Sequence, residues 1–250
     1  MEIDVILTHQ SLPKNFEGAI CAVVDVLRAT TTIITALANG ASEVLPCIDA
    51  EEARQKARGT NDKPFLLGGE IKGLRVPGFD LGNSPVEYLD SRLISGKVIY
   101  FSTTNGTSAI RRAYTGSHNP VYVAALVNLS AVSSALLKAT TDNSASTILL
   151  LCAGRRRGPS LEDLFCTGLI LQKLIQELNQ AGIPHKLSDG ASIALDFSLA
   201  KKGKPIDVLK ATEPGQGLQG LGFADDVELA SQIDKYQTVP IFDGTKITAA

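Results

Sequence analysis

The residues best equipped for chemistry stand where apolar runs end. Asp25 closes the run 19–24 and is followed by Arg28, Thr30, Thr31 and Thr32. Gly68, Gly69 and Glu70 follow the run 64–67, and Ser102, Thr103, Thr104, Asn105, Gly106 and Thr107 follow the run 97–101. After 147–151 come Cys152, Gly154, the triplet Arg155, Arg156 and Arg157, and then Ser160, Glu162 and Asp163. Carboxylate oxygens are the ligands a hard cation such as magnesium prefers, and that ion keeps positions for water and phosphate. Hydroxyl-rich turns entering helices offer unpaired N–H groups and a positive dipole end to anions. Arg28 can grip two phosphate oxygens at once. No one of these signals is specific, but their repetition at four run ends points to phosphate handling with a hard cation.

Each signal also has a plainer reading. Asp25 could stabilise a turn, although a solitary carboxylate there is costly without a partner. Ser160-x-x-Asp163 fits a capping box, the triplet before Asn105-Gly106 fits an ordinary turn, and the arginines fit a solvated loop. Rival phosphate chemistries find little support. No G-x-x-x-x-G-K-[ST] is present. Gly158 stands six positions after Cys152, where a cysteine phosphatase needs arginine. Val26 and Leu27 follow Asp25, so the second aspartate of an aspartyl-phosphate enzyme is missing. His9, His118 and His185 are too scattered for a di-zinc or phosphohistidine site. Gly215-x-Gly217-x-x-Gly220 matches a dinucleotide fingerprint but follows Glu213-Pro214 instead of a strand, so it reads as a flexible glycine-rich loop. What remains is attack by metal-activated water or an undetermined covalent variant.

The elements that must position these residues follow a βα pattern. Strands are expected at 3–7, 19–24, 64–67, 97–101, 121–127, 147–151 and 239–242, several of them continuously apolar, as when helices cover both faces. Helices are expected over 30–40, ending at Gly40, and over 49–59, opened by Asp49 with Glu52 and closed at Gly59. A third is expected over 84–93, capped by Ser84 with Pro85 in its first position. The longest, 161–181, buries Leu164, Phe165, Gly168, Leu171, Leu174, Ile175 and Leu178. The fold class is α/β: three layers, a largely parallel or mixed sheet flanked by helices, with room for two similar lobes. The whole chain reads as a single domain, and turn-forming residues 115–120 mark a division between lobes if there is one.

A net charge of −2 argues against a nucleic-acid or membrane-surface partner, since both demand clustered positive charge. No apolar window reaches the roughly 18 residues of a membrane span, and the acidic N-terminus is unlike a signal peptide. Cys21, Cys47, Cys152 and Cys166 show no C-x-x-C spacing and read as buried hydrophobes in a reducing, cytoplasmic compartment. A small anionic metabolite is the expected partner; the sequence does not set the oligomeric state, although a homodimer is common among α/β metabolic enzymes.

The segments VVDVLRATTTI (23–33), GGEIKGLRVPGFDLGNSP (68–85), STTNGT (102–107), CAGRRRGPSLEDLFCTG (152–168) and LGFADDVELASQIDKYQTVPIF (221–242) together resemble the 2-phosphosulfolactate phosphatase family, in order and over most of the length. The resemblance implies a magnesium-dependent acid phosphatase that converts 2-phospho-3-sulfolactate to 3-sulfolactate and phosphate, a step toward coenzyme M. It carries over Asp25, Arg28, Glu70, Asn83, Thr103, Thr104, Asn105, Glu162 and Asp163 as site residues. On that footing the expected metal ligands are Asp25, Glu70 and Asp163, with Glu162 as general base or acid. Arg28, Asn83 and the segment Thr103, Thr104, Asn105, Gly106 and Thr107 are expected to hold phosphate. Arg155, Arg156 or Arg157 would meet the sulfonate or carboxylate. An enzyme of altered specificity and a non-catalytic anion sensor are the alternatives.

Overall fold

Every residue of the second strand is buried, and its two faces belong to different core clusters, Ile20, Ala22 and Val24 to one and Cys21 and Val23 to another. A strand that buries both faces must lie between two layers of helices. The computed structural model describes residues 1–13, 16–59, 63–142, 145–155, 158–201 and 203–250. Its strands are β1 (Glu2–Ile6), β2 (Ile20–Val24), β3 (Glu43–Cys47), β4 (Phe65–Ile71), β5 (Leu74–Arg75), β6 (Val98–Ser102), β7 (Val121–Ala124), β8 (Thr147–Cys152), β9 (Lys186–Leu187), β10 (Pro240–Phe242) and β11 (Ile247–Ala249). They form one mixed sheet in the order β5-β4-β6-β3-β11-β10-β7-β2-β8-β1-β9.

Two parallel blocks stand in that order. One is β4-β6-β3 and the other is β7-β2-β8-β1-β9. The β10–β11 hairpin joins them through three successive antiparallel pairings, so the blocks run in opposite senses. Six strand steps separate β4 from β2. At about 20–25° of twist per step the sheet turns through roughly 120–150° between them. That turn swings the ends of oppositely running strands back toward the same side.

The helices are α1 (Ala29–Ala38), α2 (Ala50–Arg58), α3 (Ser91–Ile94), α4 (Gly106–Ser117), α5 (Leu129–Asp142), α6 (Leu161–Gln180), α7 (Asp189–Ala200), α8 (Pro205–Ala211), α9 (Glu213–Gly220) and α10 (Ala224–Ala230). Helices α1 and α4 pack on the Val23 face, while α5, α6 and α7 pack on the Ala22 face, giving the expected three layers. The expected stripe of α6 is buried apart from the partly covered Ile175. Each such leucine contributes about 1.5–3 kcal/mol. The chain crosses from one block to the other between β2 and β3, and returns between β6 and β7.

Three local expectations need correction. Strand β3 stands where no strand was expected; Pro46 lies within it opposite Phe101 of β6, and on the other side β11 pairs with it at Val44 alone. The helix expected over 84–93 is a 3₁₀ turn, Pro85–Tyr88, followed by the short α3. Asp90 caps α3, and Ser84 caps nothing because its hydroxyl is directed to Asp226. The glycine-rich segment 215–220 is helix α9, not a flexible loop. Thr212 caps it through Gly215 N, and a Cβ at Gly215 would sit 1.9 Å from Leu209 O. Glycine there permits the close packing of α8 against α9.

Candidate active site

At the end of β2 the chain turns sharply into α1. The Asp25 carbonyl accepts from Thr30 N and Thr30 Oγ1, Thr31 Oγ1 donates to Val26 O, and Thr32 Oγ1 donates to Asn83 O. These hydroxyls are therefore spent on bracing the backbone and do not cradle an anion. Their effect is to fix Asp25, whose Oδ1 accepts from Ala29 N at 3.3 Å. Gly106, the first residue of α4, comes so close that a Cβ there would lie 2.7 Å from Asp25 Oδ2. Only glycine lets β2 and α4 approach this far.

The four strand ends converge on one cavity of about 290 Å³. Asp25, Arg28, Glu70, Asn83, Thr103, Thr104, Asn105, Arg155, Glu162 and Asp163 all line it, as the sequence led us to expect. Gly106 and Thr107 are not among the lining residues. Thr107 is fully buried and exchanges hydrogen bonds with Thr103, which holds the turn. Arg156 and Arg157 lie outside the described residues.

The carboxylates are tied down in different ways. Glu70 accepts from Gly73 N and Thr104 N, both at 2.7 Å, and so fastens the β4–β5 hairpin to the turn before α4. Asp163 accepts from Val26 N at 2.9 Å and Gly154 N at 3.1 Å, joining the ends of β2 and β8. The expected capping box is absent, because Ser160 makes no side-chain cap bond and Asp163 reaches across to neighbouring strands. Glu162 is 2% exposed, and its Oε2 has no hydrogen-bond partner. The same holds for Asn83 Oδ1. Two orphaned acceptors lining one cavity would be expensive to leave empty-handed.

Burial dominates the electrostatics. It raises the Asp25 carboxyl to about 7; Ala29 N–H opposes this, Glu70 and Glu162 add to it, and Arg28 works against it. Asp163 is pushed well above the usual range by burial, then by Glu162 and Asp25. Glu162 is also raised by burial, against the hydroxyls of Ser160 and Thr212. Acids whose carboxyls are raised in this way inside a cleft suit proton transfer or the binding of a cation.

Among the described residues, no three His, Cys, Asp or Glu side chains form a ready-made metal cluster. Asp25, Glu70 and Asp163 are thus drawn to one cavity but not into a preformed ligand shell, since two of them spend both oxygens on backbone N–H groups. That arrangement still fits magnesium, which typically uses one or two carboxylates and fills its other positions with water and phosphate. The donors lining the cavity are hard oxygens, and two of them are unpartnered.

Sequence reasoning missed Asp226. Its Oδ2 meets Arg28 NH1 at 2.7 Å, both side chains are about 97–98% buried, and Ser84 Oγ donates to Oδ1. Arg28 also donates to Gly73 O at 2.6 Å and lies 4.6 Å over the Phe223 ring. Its guanidinium is therefore held rigidly and is not a mobile fork. Burial raises Asp226 despite this ion pair, so desolvation outweighs the nearby charge. Helical spacing carried the signal, since Phe223, Asp226, Val227 and Ala230 share one face of α10. Lys72, Pro214, Gly217, Leu218 and Leu221 are further lining residues that were not anticipated.

A family model described as 2-phosphosulpholactate phosphatase matches residues 6–245. The chain belongs to the 2-phosphosulfolactate phosphatase family. It is a phosphatase. A relative from Symbiobacterium thermophilum, named a probable 2-phosphosulfolactate phosphatase, is 41% identical over 92% of this chain and 93% of its own. Proteins of the same name from Carboxydothermus hydrogenoformans and Thermotoga maritima are 39% and 38% identical, covering 96% and 95% of this chain and 92% and 94% of theirs. Other features agree with the sequence reading. All four cysteines are free and buried. Among the described residues no helix is long and apolar enough to cross a membrane.

Proposed function

We propose that this chain hydrolyses 2-phospho-3-sulfolactate to 3-sulfolactate and phosphate with magnesium, in the cytoplasm, as a step toward coenzyme M. The observation that carries the chemistry is the cavity where half-buried Asp25 meets buried Glu70, Glu162 and Asp163, with Glu162 Oε2 and Asn83 Oδ1 unpartnered. The substrate rests on the names of the relatives.

Asp25 and the side-chain Oδ1 of Asn83 are the donors that would hold the cation, with Glu70 and Asp163 adding negative charge beside it. When bound, magnesium offsets charge on phosphate oxygens and lowers the pKa of water. Arg28, locked by Asp226 and Gly73, presents fixed positive charge to the phosphate, so little reorganisation accompanies the reaction. Asn105 heads α4, whose positive dipole end adds to this. Glu162, whose carboxyl burial raises, is the group placed to give a proton to the ester oxygen as the P–O bond breaks. The attacking water supplies the new oxygen of the phosphate, and one of its protons restores Glu162.

The test is phosphate release from 2-phospho-3-sulfolactate with magnesium and with chelator, beside 2-phospholactate and 3-phosphoglycerate. Magnesium-dependent release that prefers the sulfonate by about tenfold or more supports the reading. Equal rates on all three would leave a phosphatase of different specificity. Binding without turnover of any would favour the sensor.

A further inference from the structure

Three cationic side chains line the cavity among the described residues: Arg28, Lys72 and Arg155. Two of them are already matched. Arg28 pairs with Asp226, and Arg155 NH1 lies 2.6 Å from Glu213. Lys72, exposed at the cavity mouth, pairs with no carboxylate among the described residues.

Its backbone makes the choice of lysine harder to explain on local grounds. Lys72 and Gly73 form the two-residue loop of the β4–β5 hairpin, whose register pairs Ile71 with Leu74. Both have positive φ, 54° and 82°. That is the signature of a type I′ turn, whose first position favours Asn, Asp or Gly. A lysine gains nothing locally from the left-handed conformation. The turn is also clamped from both sides, since Gly73 N donates to Glu70 and Gly73 O accepts from Arg28. Two residues of the acid cavity thus fix where the loop stands, and the loop carries Lys72 at the mouth.

A side chain of the wrong turn propensity, the right charge and a fixed position is an outlier that points to function. We infer that Lys72 is the specificity residue for the second anionic group of the substrate, the sulfonate or carboxylate carried beside the phosphate. The inference rests on the substrate class proposed above. The division of labour follows from depth. The buried groups handle phosphate, where charge must be matched closely. An ammonium on a flexible stem at the mouth serves as a point charge for an anion whose pose varies with the carbon skeleton. Arg155, already engaged by Glu213, is the weaker candidate for that role.

The experiment is calorimetric titration of 3-sulfolactate and of inorganic phosphate, with magnesium, into the wild type, Lys72→Asn and Lys72→Arg, together with turnover of 2-phospho-3-sulfolactate. Asparagine suits the turn, so Lys72→Asn should melt no lower than the wild type. The expected result is a loss of about tenfold or more for 3-sulfolactate and less than about twofold for phosphate in Lys72→Asn. KM should rise about tenfold with kcat within about threefold, and Lys72→Arg should recover most of the loss. Equal weakening of both ligands, no weakening of either, or no 3-sulfolactate binding by the wild type would overturn the inference. If the wild type fails to turn over phosphosulfolactate while Lys72→Asn still loses 3-sulfolactate, the substrate reading falls and the anion role stands. Normal turnover with unchanged affinity in Lys72→Asn is the reverse.

Discussion

Two clefts in this molecule have acidic side chains in or beside them, and the carboxyls at the two are pushed in opposite directions. The larger, of about 420 Å³, lies by β3, β6 and the β10–β11 hairpin, and Lys56, Tyr100 and Arg111 line it. Glu52 beside it works against partial burial, but the N–H of Ile48 and the cations Arg111 and Lys56 hold its carboxyl down at about 2. Arg111 NH1 lies 2.9 Å from both Glu52 oxygens. In the smaller cavity burial wins, and Asp25 rises to about 7. Beside one cleft Glu52 has Lys56 and Arg111 as its cations, whereas in the other the acids crowd each other and Arg28 is already engaged by Asp226. Unmatched charge sets the smaller cavity apart.

The sharpest way to test that contrast is Asp25→Asn. Removing the central carboxylate should lower phosphate release by about 10³-fold or more, roughly 4 kcal/mol of barrier. Melting in chelator should hold or rise, because a crowded buried charge has gone. Near-normal turnover would remove Asp25 from the machinery.

Next in size is Asp226→Ala. It strands the buried Arg28 guanidinium, at a cost of about 3 kcal/mol in urea unfolding. Asp226→Asn keeps a partner for Arg28 and should unfold closer to the wild type while kcat/KM drops about 10-fold or more. If Asp226→Asn is fully active, Arg28 needs no anchoring charge.

The smallest effect is expected in the settled cleft. Glu52→Gln should leave turnover alone and cost about 0.5–1 kcal/mol at neutral pH, the pair being partly exposed. A depressed carboxyl contributes stability that is present above its ordinary value of 4.5 and lost as pH falls toward about 2. The gap between the wild type and Glu52→Gln should therefore close between pH 5 and about pH 2, and a gap that widened on acidification would reverse the assignment. A turnover defect in Glu52→Gln would mean that the two clefts are coupled.

Much of the cavity could be read directly from the order of residues. Apolar runs that end in Asp25, Glu70, Thr103 and Gly154 are legible because a strand buried on both faces must be apolar, and polarity then falls at its ends. Helices α2 and α6 are legible for the same reason, through caps and stripes that involve neighbours within a turn or two. Legibility failed where the partner lies far along the chain. Asp163 looked like a cap for its own helix and instead binds Val26 and Gly154. Ser84 looked like a cap and instead holds Asp226, 142 residues away. The glycines of α9 looked like flexibility and instead allow close packing on Leu209.

The amino-acid order by itself determined the chemistry present, oxygen-rich, acidic strand ends in a chain of a recognisable family, because residue types and local spacing set what a strand end can offer. Only the tertiary structure decided which charges are matched. Arg28 belongs to Asp226, Glu70 and Asp163 to backbone N–H groups, and Lys72 to none of the described carboxylates. Those pairings depend on a twisted sheet that brings oppositely running blocks to one cavity, and on burial that makes an unmatched charge costly. Neither distance nor desolvation is written in sequence spacing.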